Sequence, residues 1–228
     1  MKESLTALHT EAFTAEREWT VDGIPVLTAT VTLPRPVPAA GRTAGRIYRY
    51  YQLQSHSYFR YCAHWLFPQA AAEYRAALAA STPLPQWTAD LLYRVTYNQG
   101  GLWSLYTQSR ETGLPGQTAL VRRGDSWDLA SGYPVPLSAF FPRRSAFKKA
   151  LLARAEQEIA RQEAEKLAQY SPGWRQGLRR NFNPQNFYLT EDGLAFFYQM
   201  YAIAPQAEGV PTFLLPWNAA GPHIPPSL

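Results

Sequence analysis

Two long stretches of the chain carry apolar residues at helical spacing. Between Gly41 and Ala80, aromatic and aliphatic side chains recur three, four or seven positions apart. Pro68 lies inside this stretch, where a proline removes one backbone hydrogen bond and clashes with the preceding turn. The pattern therefore predicts one long helix that Pro68 kinks or splits. A second apolar stripe predicts another helix from Ser145 to Tyr170.

Elsewhere, short apolar runs are separated by turn-forming residues, which is typical of antiparallel strands. Three turn signals in the first part of the chain each predict a hairpin: Asp22-Gly23, Asn98–Gly101 and Gly124-Asp125. Near the end, Glu191-Asp192-Gly193 predicts a turn between two further strands, and Phe213–Leu215 predicts a last strand between prolines. The pair Ser171-Pro172 predicts the start of a short helix, with Ser171 as its N-cap.

This order of elements predicts an α+β fold. Mostly antiparallel sheet is covered by two long helices, and a strand–helix–strands arrangement is repeated roughly twice. We place an N-terminal half at residues 1–134 and a C-terminal half at residues 135–228. The alternative is that both halves belong to one continuous domain.

Composition indicates a globular protein with a sizeable core. The 228 residues are 46% hydrophobic, and the single cysteine, Cys62, excludes an internal disulfide framework. We find no signal peptide and no apolar run long enough to span a membrane. As written, the sequence predicts a cytoplasmic protein. It predicts an extracytoplasmic one if the true gene start lies upstream.

The net charge of +5 arises largely between Arg143 and Arg180, which holds ten basic and four acidic residues. Such a segment is typical of a solvated helix face, although a basic helix can also bind nucleic acid. We favour the solvated face and do not expect nucleic acid as a partner. Binding of nucleic acid through residues 143–180 stays open as an alternative.

Residues that could carry chemistry are few. His56 and His64 share one predicted helix with Cys62 and Glu73, but this set lacks the spacing of a zinc site. Adjacent carboxylates before a glycine, as in Glu191-Asp192, are typical of a hairpin tip, and no phosphate-binding glycine loop occurs. We therefore predict no catalytic, cofactor-binding or metal-binding residue and no cofactor. An enzyme with an unrecognised site is the alternative.

The first predicted helix is unusually rich in aromatic residues interleaved with arginines. The aromatic residues are Tyr48, Tyr50, Tyr51, Tyr58, Phe59, Tyr61, Trp65 and Phe67, and the arginines are Arg46, Arg49 and Arg60. One interpretation is a helix buried between two layers, since tyrosine is common in cores. The other is an interface for a partner protein, or for bases that stack on the rings.

Several short motifs resemble a known family. They are Tyr97-Asn98 with Leu102-Trp-Ser104, Asn186-Phe-Tyr-Leu189, Asp192-Gly193-Leu194, Tyr201-x-Ile-Ala-Pro205 and Gly209-Val-Pro-Thr-Phe213. Together they resemble the extracytoplasmic domain of RsiV-type anti-sigma factors, which senses lysozyme. The similarity is close over about the last forty residues. The resemblance implies a bacterial domain whose C-terminal half is like a subdomain of the heat-shock cognate ATPase.

The resemblance implies a non-catalytic module that binds a protein or a ligand derived from the cell envelope. The partner would be a lysozyme-like muramidase or a sigma-type regulator. Because binding residues concentrate on loops held by a scaffold, we place the ligand-binding surface in two segments, residues 110–117 and 201–209. The candidate residues are Arg110, Thr112, Leu114, Tyr201, Gln206 and Glu208.

Overall fold

The computed structural model describes residues 7–37, 41–113, 118–218 and 221–225. Its strands are β1 (Thr10–Val21), β2 (Ile24–Pro36), β3 (Trp87–Gln99), β4 (Leu102–Thr112), β5 (Thr118–Asp128), β6 (Tyr133–Pro134), β7 (Phe187–Leu189), β8 (Gly193–Phe197) and β9 (Thr212–Pro216). Its α-helices are α1 (Arg42–Tyr61), α2 (Phe67–Ala80), α3 (Phe147–Ala164) and α4 (Trp174–Arg180). A π-helical turn spans Cys62–Leu66, and 3-10 helices span Leu137–Phe140 and Gln206–Glu208. The predicted α+β class is confirmed.

The strands form two sheets. Six of them follow the order β1-β2-β3-β4-β5-β6, and the other three follow the order β7-β8-β9. The pairs β1–β2, β5–β6, β7–β8 and β8–β9 are antiparallel. The pair β2–β3 is parallel because α1 and α2 connect these strands and return the chain to the same end of the sheet.

The first hairpin follows the sequence signal directly. Asp22 and Gly23 take positive φ values of 50° and 79° between β1 and β2. Two central residues with positive φ are the requirement of the two-residue turn that matches strand twist, and Asp-Gly is a preferred pair there. The predicted hairpin at this position is confirmed.

The predicted hairpin at Gly124-Asp125 is wrong, because β5 runs through both residues without a turn. The glycine is required here for a different structural reason. A Cβ atom at Gly124 would lie 1.8 Å from the backbone oxygen of Phe187 in β7. Gly124 is therefore the position where another backbone comes too close for any side chain.

Three element boundaries also differ from the prediction. Strand β4 continues to Thr112, so Arg110 and Thr112 belong to a strand rather than to a loop. Helix α3 is shorter at both ends than the stretch from Ser145 to Tyr170. Helix α4 begins after Gly173, which has a left-handed conformation, and no side chain in the described ranges caps it, so the predicted N-cap at Ser171 is wrong.

The chain divides into two compact units. Of the described residues, the hairpin unit contains those within 9–93 and 107–120, and the C-terminal unit contains those within 7–8, 94–106 and 121–225. The division cuts through β3, β4 and β5. The boundary that we predict from sequence, between residues 134 and 135, stays a prediction.

The hairpin unit has its core between the sheet and the helices. Alternate residues of β2 are buried, as expected for a strand with one covered face: Leu27, Ala29, Val31 and Leu33. Helix α1 packs against this strand, and Ile47, Tyr51 and Phe59 are buried with less than 4% of their surface exposed. The alternation places these buried side chains on one face of β2, so one layer of helices is enough to cover them.

The C-terminal unit has a separate core built from α3, α4 and the three-stranded sheet. Its fully buried members include Phe140, Leu151, Ile159, Leu178, Leu189, Leu194 and Phe213. Helix α3 packs on β9, and the apolar face that the sequence predicts for this helix is confirmed by the burial of Leu151, Ala155 and Ile159. Within the described ranges, none of the helices combines the length and apolar character needed to cross a bilayer.

Candidate binding surface

The predicted helix continues past Pro68, and a π-helical turn, Cys62–Leu66, interrupts its α-helical part just before the proline. Helix α1 ends at Tyr61 and α2 begins at Phe67, and the residues at both junctions keep the right-handed helical conformation, so Pro68 lies inside a continuous helical segment. The carbonyl of Trp65 accepts a hydrogen bond from the side-chain amide of Gln69 at 2.9 Å. Single π turns inside helices are frequent at functional sites, so this turn marks a candidate site.

The aromatic helix fits both interpretations, each at different positions. Tyr51, Tyr58 and Phe59 are buried in the core of the hairpin unit. Tyr61, by contrast, is 38% exposed, and Trp65 is 67% exposed. The two exposed rings are four positions apart and therefore lie on the same side of the helix. We call Tyr61, Trp65 and Glu111 the aromatic surface.

Glu111 joins the aromatic surface from the end of β4. The hydroxyl of Tyr61 donates a hydrogen bond to Oε2 of Glu111 at 3.0 Å. Thr107, four residues earlier on the same strand, accepts a hydrogen bond from the amide of Gln54 in α1. Because side chains alternate along a strand, residues 107, 109 and 111 all face the helix. The hydrogen bond from Tyr61 to Glu111 fixes the orientation of the Tyr61 ring.

Burial changes the ionisation of this cluster. It raises the pKa of the Glu111 carboxyl, and the hydrogen bond from Tyr61 opposes that rise. Burial, together with the neighbouring Glu111 charge, raises the pKa of Tyr61 to about 12. The same two causes raise the pKa of the buried Cys62 thiol to about 12. A thiol with so high a pKa stays protonated at neutral pH and is a poor nucleophile.

The predicted residues Arg110 and Thr112 lie on the opposite face of β4 from Glu111. Arg110 is exposed and Thr112 is half-buried. The next predicted residue, Leu114, lies outside the described residues. Glu111 is absent from the residues predicted by sequence, because positions 107, 109 and 111 are all polar and only the structure shows that Thr107 and Ser109 are buried on the helix side of β4.

The second predicted segment forms an ordered turn in the C-terminal unit. Tyr201 is 62% exposed and has a positive φ of 65°. Its hydroxyl contacts Oε1 of Gln206 at 3.0 Å, and Oε1 of Glu208 accepts a hydrogen bond from the backbone N–H of Gln169 at 2.9 Å. The structure therefore brings Tyr201 and Gln206 together and ties Glu208 to the chain after α3.

The polar groups of the first helical region do not converge on a metal site. His56 and His64 are exposed, whereas Cys62 is buried. The carboxylate of Glu73 accepts a hydrogen bond from Nε1 of Trp87 at 2.9 Å. Among the residues that the structure describes, no group of three histidine, cysteine or acidic side chains is placed to hold a metal ion.

Several bases of the segment from Arg143 to Arg180 already have partners. Arg161 forms ion pairs with Glu158 on α3 and with Glu165, the residue after this helix, and Arg179 lies 3.7 Å from Glu156. The guanidinium of Arg154 donates a hydrogen bond to the backbone oxygen of Leu214. These contacts are typical of a helix with a solvated, charge-paired face, which is the interpretation that the sequence favours.

Comparison with known proteins finds one family whose sequence model matches the C-terminal part of the chain. Residues 138–218 match the sequence model of a family described as "Protein of unknown function (DUF3298)". The matched part includes α3, α4 and the three-stranded sheet. No curated protein matches the sequence.

Two solved structures share the fold over nearly their whole length. A DUF3298 family member from Bacteroides fragilis NCTC 9343 has a TM-score of 0.70 and 17% identity, with 94% of this chain and 92% of that chain covered. A DUF3298 family protein from Pseudomonas aeruginosa PAO1 has a TM-score of 0.57 and 16% identity, with coverage of 92% and 90%. At these identities the similarity shows the fold and carries no function.

Proposed function

We propose that this chain is a non-catalytic binding module, similar to RsiV, for a protein or a ligand derived from the cell envelope. A lysozyme-like muramidase is the ligand class that the sequence resemblance suggests, and a regulator protein is the other. The observation that carries the proposal is the exposure of Trp65, at 67%, beside the half-exposed ring of Tyr61. The recognition surface is the aromatic surface of the hairpin unit.

The chemistry of these side chains suits protein recognition. Tryptophan and tyrosine dominate the binding energy of many protein interfaces because their rigid rings bury a large area at little entropic cost. The Tyr61 ring is held in place by its hydrogen bond to Glu111, so part of that ordering is complete before a partner arrives. A muramidase of the lysozyme type is basic, and the Glu111 carboxylate offers its cations an acceptor.

The remaining candidate residues complete the proposal. We retain Arg110 and Thr112, in the last residues of β4, and Leu114 as further candidate contacts. We also retain Tyr201, Gln206 and Glu208 as a contact segment of the C-terminal unit, supported by the exposure of Tyr201 and its hydrogen bond to Gln206. The aromatic surface carries more weight, because two exposed rings and a fixed carboxylate occur together there.

The proposal is tested by titrating the purified chain with a lysozyme-type muramidase in a calorimeter. We expect saturable binding, and we expect Trp65→Ala to weaken it by about tenfold or more, as removal of a central aromatic contact does. Tyr61→Phe keeps the ring but loses the hydrogen bond to Glu111, so a smaller loss of affinity is expected.

Leu78→Ala is the matched control, since Leu78 is an apolar residue of α2 that is 58% exposed and lies outside the aromatic surface. It should bind as the unmodified chain does. Equal affinity for the Trp65→Ala variant would refute the assignment of this surface. Absence of any heat of binding at high concentration would refute the muramidase as the ligand.

A further inference from the structure

An open groove in the C-terminal unit carries a second inference, independent of the aromatic surface. Two adjoining cavities, of about 610 and 420 Å³, meet at the start of α3 and share Ser145, Phe147 and Ala153. Volumes of this size are typical of pockets that take a ligand or a peptide side chain.

The floor of the groove is apolar. Phe147 stacks on Phe141 with ring centroids 5.2 Å apart, and together the rings close one side. Leu152 and Ala153 continue the floor along α3. A ligand that is only charged would leave these side chains in water, so the occupant must bring apolar groups of its own.

The rim of the groove is basic. Lys148, Lys149 and Arg179 line it, and Glu156, which lies 3.7 Å from Arg179, is its one acidic lining residue within the described ranges. The ammonium group of Lys148 is held 5.1 Å above the ring of Phe182. The rim therefore presents an excess of positive charge to whatever enters.

The start of α3 adds to this charge. Helix N-termini carry a partial positive charge and normally have acidic residues nearby. Here the first turn of an 18-residue helix has no acidic residue and, in the described part of the chain, no side-chain cap, and it carries Lys148 and Lys149 instead. The buried Oγ of Ser145, at the junction of the two cavities, has no hydrogen-bond partner among the described residues. The uncapped helix start and the two lysines of its first turn favour an anionic occupant.

From these features we infer that the groove binds an acidic peptide segment of a partner protein, with a bulky apolar side chain on the Phe147–Leu152 floor. Its carboxylates would pair with the rim of Lys148, Lys149 and Arg179. The aliphatic part of the floor, Leu152 and Ala153, favours an apolar peptide side chain over a base, which would need an open ring face for stacking. The inference goes beyond the proposed function, because it concerns a separate ligand and a separate unit.

The test is fluorescence anisotropy with a set of short labelled peptides in which Asp or Glu alternates with Leu, Phe or Trp. Peptides with Lys in place of the acids are the charge control. We expect the acidic set to contain binders and the basic set none. Lys148→Glu combined with Lys149→Glu should weaken binding by about tenfold or more. Ala153→Tyr, at an exposed helical position, should block the floor and have a similar effect.

Arg42→Glu combined with Arg75→Glu is the matched control, since it makes the same change of charge at exposed helix residues outside the groove. This variant should bind the acidic peptides normally. The inference is overturned if no acidic peptide binds, or if the groove variants bind as well as the control. It is also overturned if labelled single-stranded DNA binds more tightly than every peptide and loses that binding in the Lys148 and Lys149 variant.

Discussion

Glu111 illustrates at the scale of a single residue how position in a strand decides chemistry. It lies between Arg110 and Thr112, which face away from α1, yet its own side chain is held under that helix by the hydroxyl of Tyr61. Burial raises its pKa above the usual value of 4.5. The residue therefore links the exposed aromatic surface to the stability of the hairpin unit.

The raised pKa of Glu111 predicts a pH dependence with a definite sign. The folded state binds this proton more tightly than the unfolded chain does, so the contribution to stability is largest below pH 4.5 and falls as the pH rises through the folded pKa. Glu111→Gln removes the charge and keeps an acceptor for Tyr61. We expect the variant to have the higher free energy of unfolding at pH 7, with the difference vanishing near pH 4.

Urea denaturation at both pH values checks this prediction. Glu18→Gln, at an exposed position of β1, is the control for loss of one carboxylate. A Glu111→Gln variant that is less stable than the unmodified chain at pH 7 would contradict the prediction, because it would show that the charged carboxylate stabilises the fold.

Gly124 and Gly45 make a matched pair of substitutions to alanine. At Gly124 the new Cβ would meet the Phe187 oxygen at 1.8 Å, so backbone must move, and we expect the free energy of unfolding to fall by about 2 kcal/mol or more. At Gly45, in α1, no described atom lies within 4 Å of the new one. Alanine there should raise stability by up to about 1 kcal/mol, because it is the better helix former.

Both changes are read from the midpoint and slope of urea denaturation. A Gly124→Ala variant as stable as the unmodified chain would rule out a close backbone approach at Gly124.

Gly124 also marks a limit of what the sequence can predict. The pair Gly124-Asp125 has the composition of a turn, and only the position of β7, more than sixty residues later, explains why the glycine is required.

At the scale of elements, the approach of β7 to β4 and β5 depends on one buried hydroxyl. Oγ of Ser104 accepts a hydrogen bond from the backbone N–H of Leu189 at 2.9 Å and lies 2.8 Å from Oγ of Ser126. Both serines are buried. The hydroxyl thus satisfies a backbone group that the three-stranded sheet leaves without a partner on this side.

Ser104→Ala should therefore lower the free energy of unfolding by about 1–3 kcal/mol, the cost of a buried donor without an acceptor. Denaturation by urea measures the change. Ser57→Ala, at an exposed position of α1, is the control and should be neutral or slightly stabilising, since alanine favours the helix. A neutral Ser104→Ala result would mean that Leu189 finds another acceptor.

Elements with a strong local signal were predictable from the sequence, and elements set by distant contacts were not. The Asp22-Gly23 turn and the helical irregularity just before Pro68 follow from local backbone chemistry. The extent of β4 to Thr112 and the start of α4 after Gly173 depend on pairing and packing with other segments. The candidate surface divides in the same way, since Trp65 stood out as an aromatic residue while Glu111 needed the strand alternation.

At the scale of the molecule, the chain is an α+β protein whose residues 138–218 match the DUF3298 sequence model, and we propose partners for two distinct surfaces. The aromatic surface lies in the hairpin unit, and the basic groove lies in the C-terminal unit. The proposals can fail separately, because each has its own probe and its own variants.

The most direct test of the binding-module proposal is hydroxyl-radical footprinting of the chain with and without a saturating lysozyme-type muramidase. Trp65, at 67% exposed, should oxidise rapidly in the free chain. We predict that the rates at Trp65 and Tyr61 fall several-fold in the mixture, while the rate at Tyr133, an exposed residue outside both proposed surfaces, does not change. Unchanged oxidation of Trp65 under those conditions would contradict the proposal.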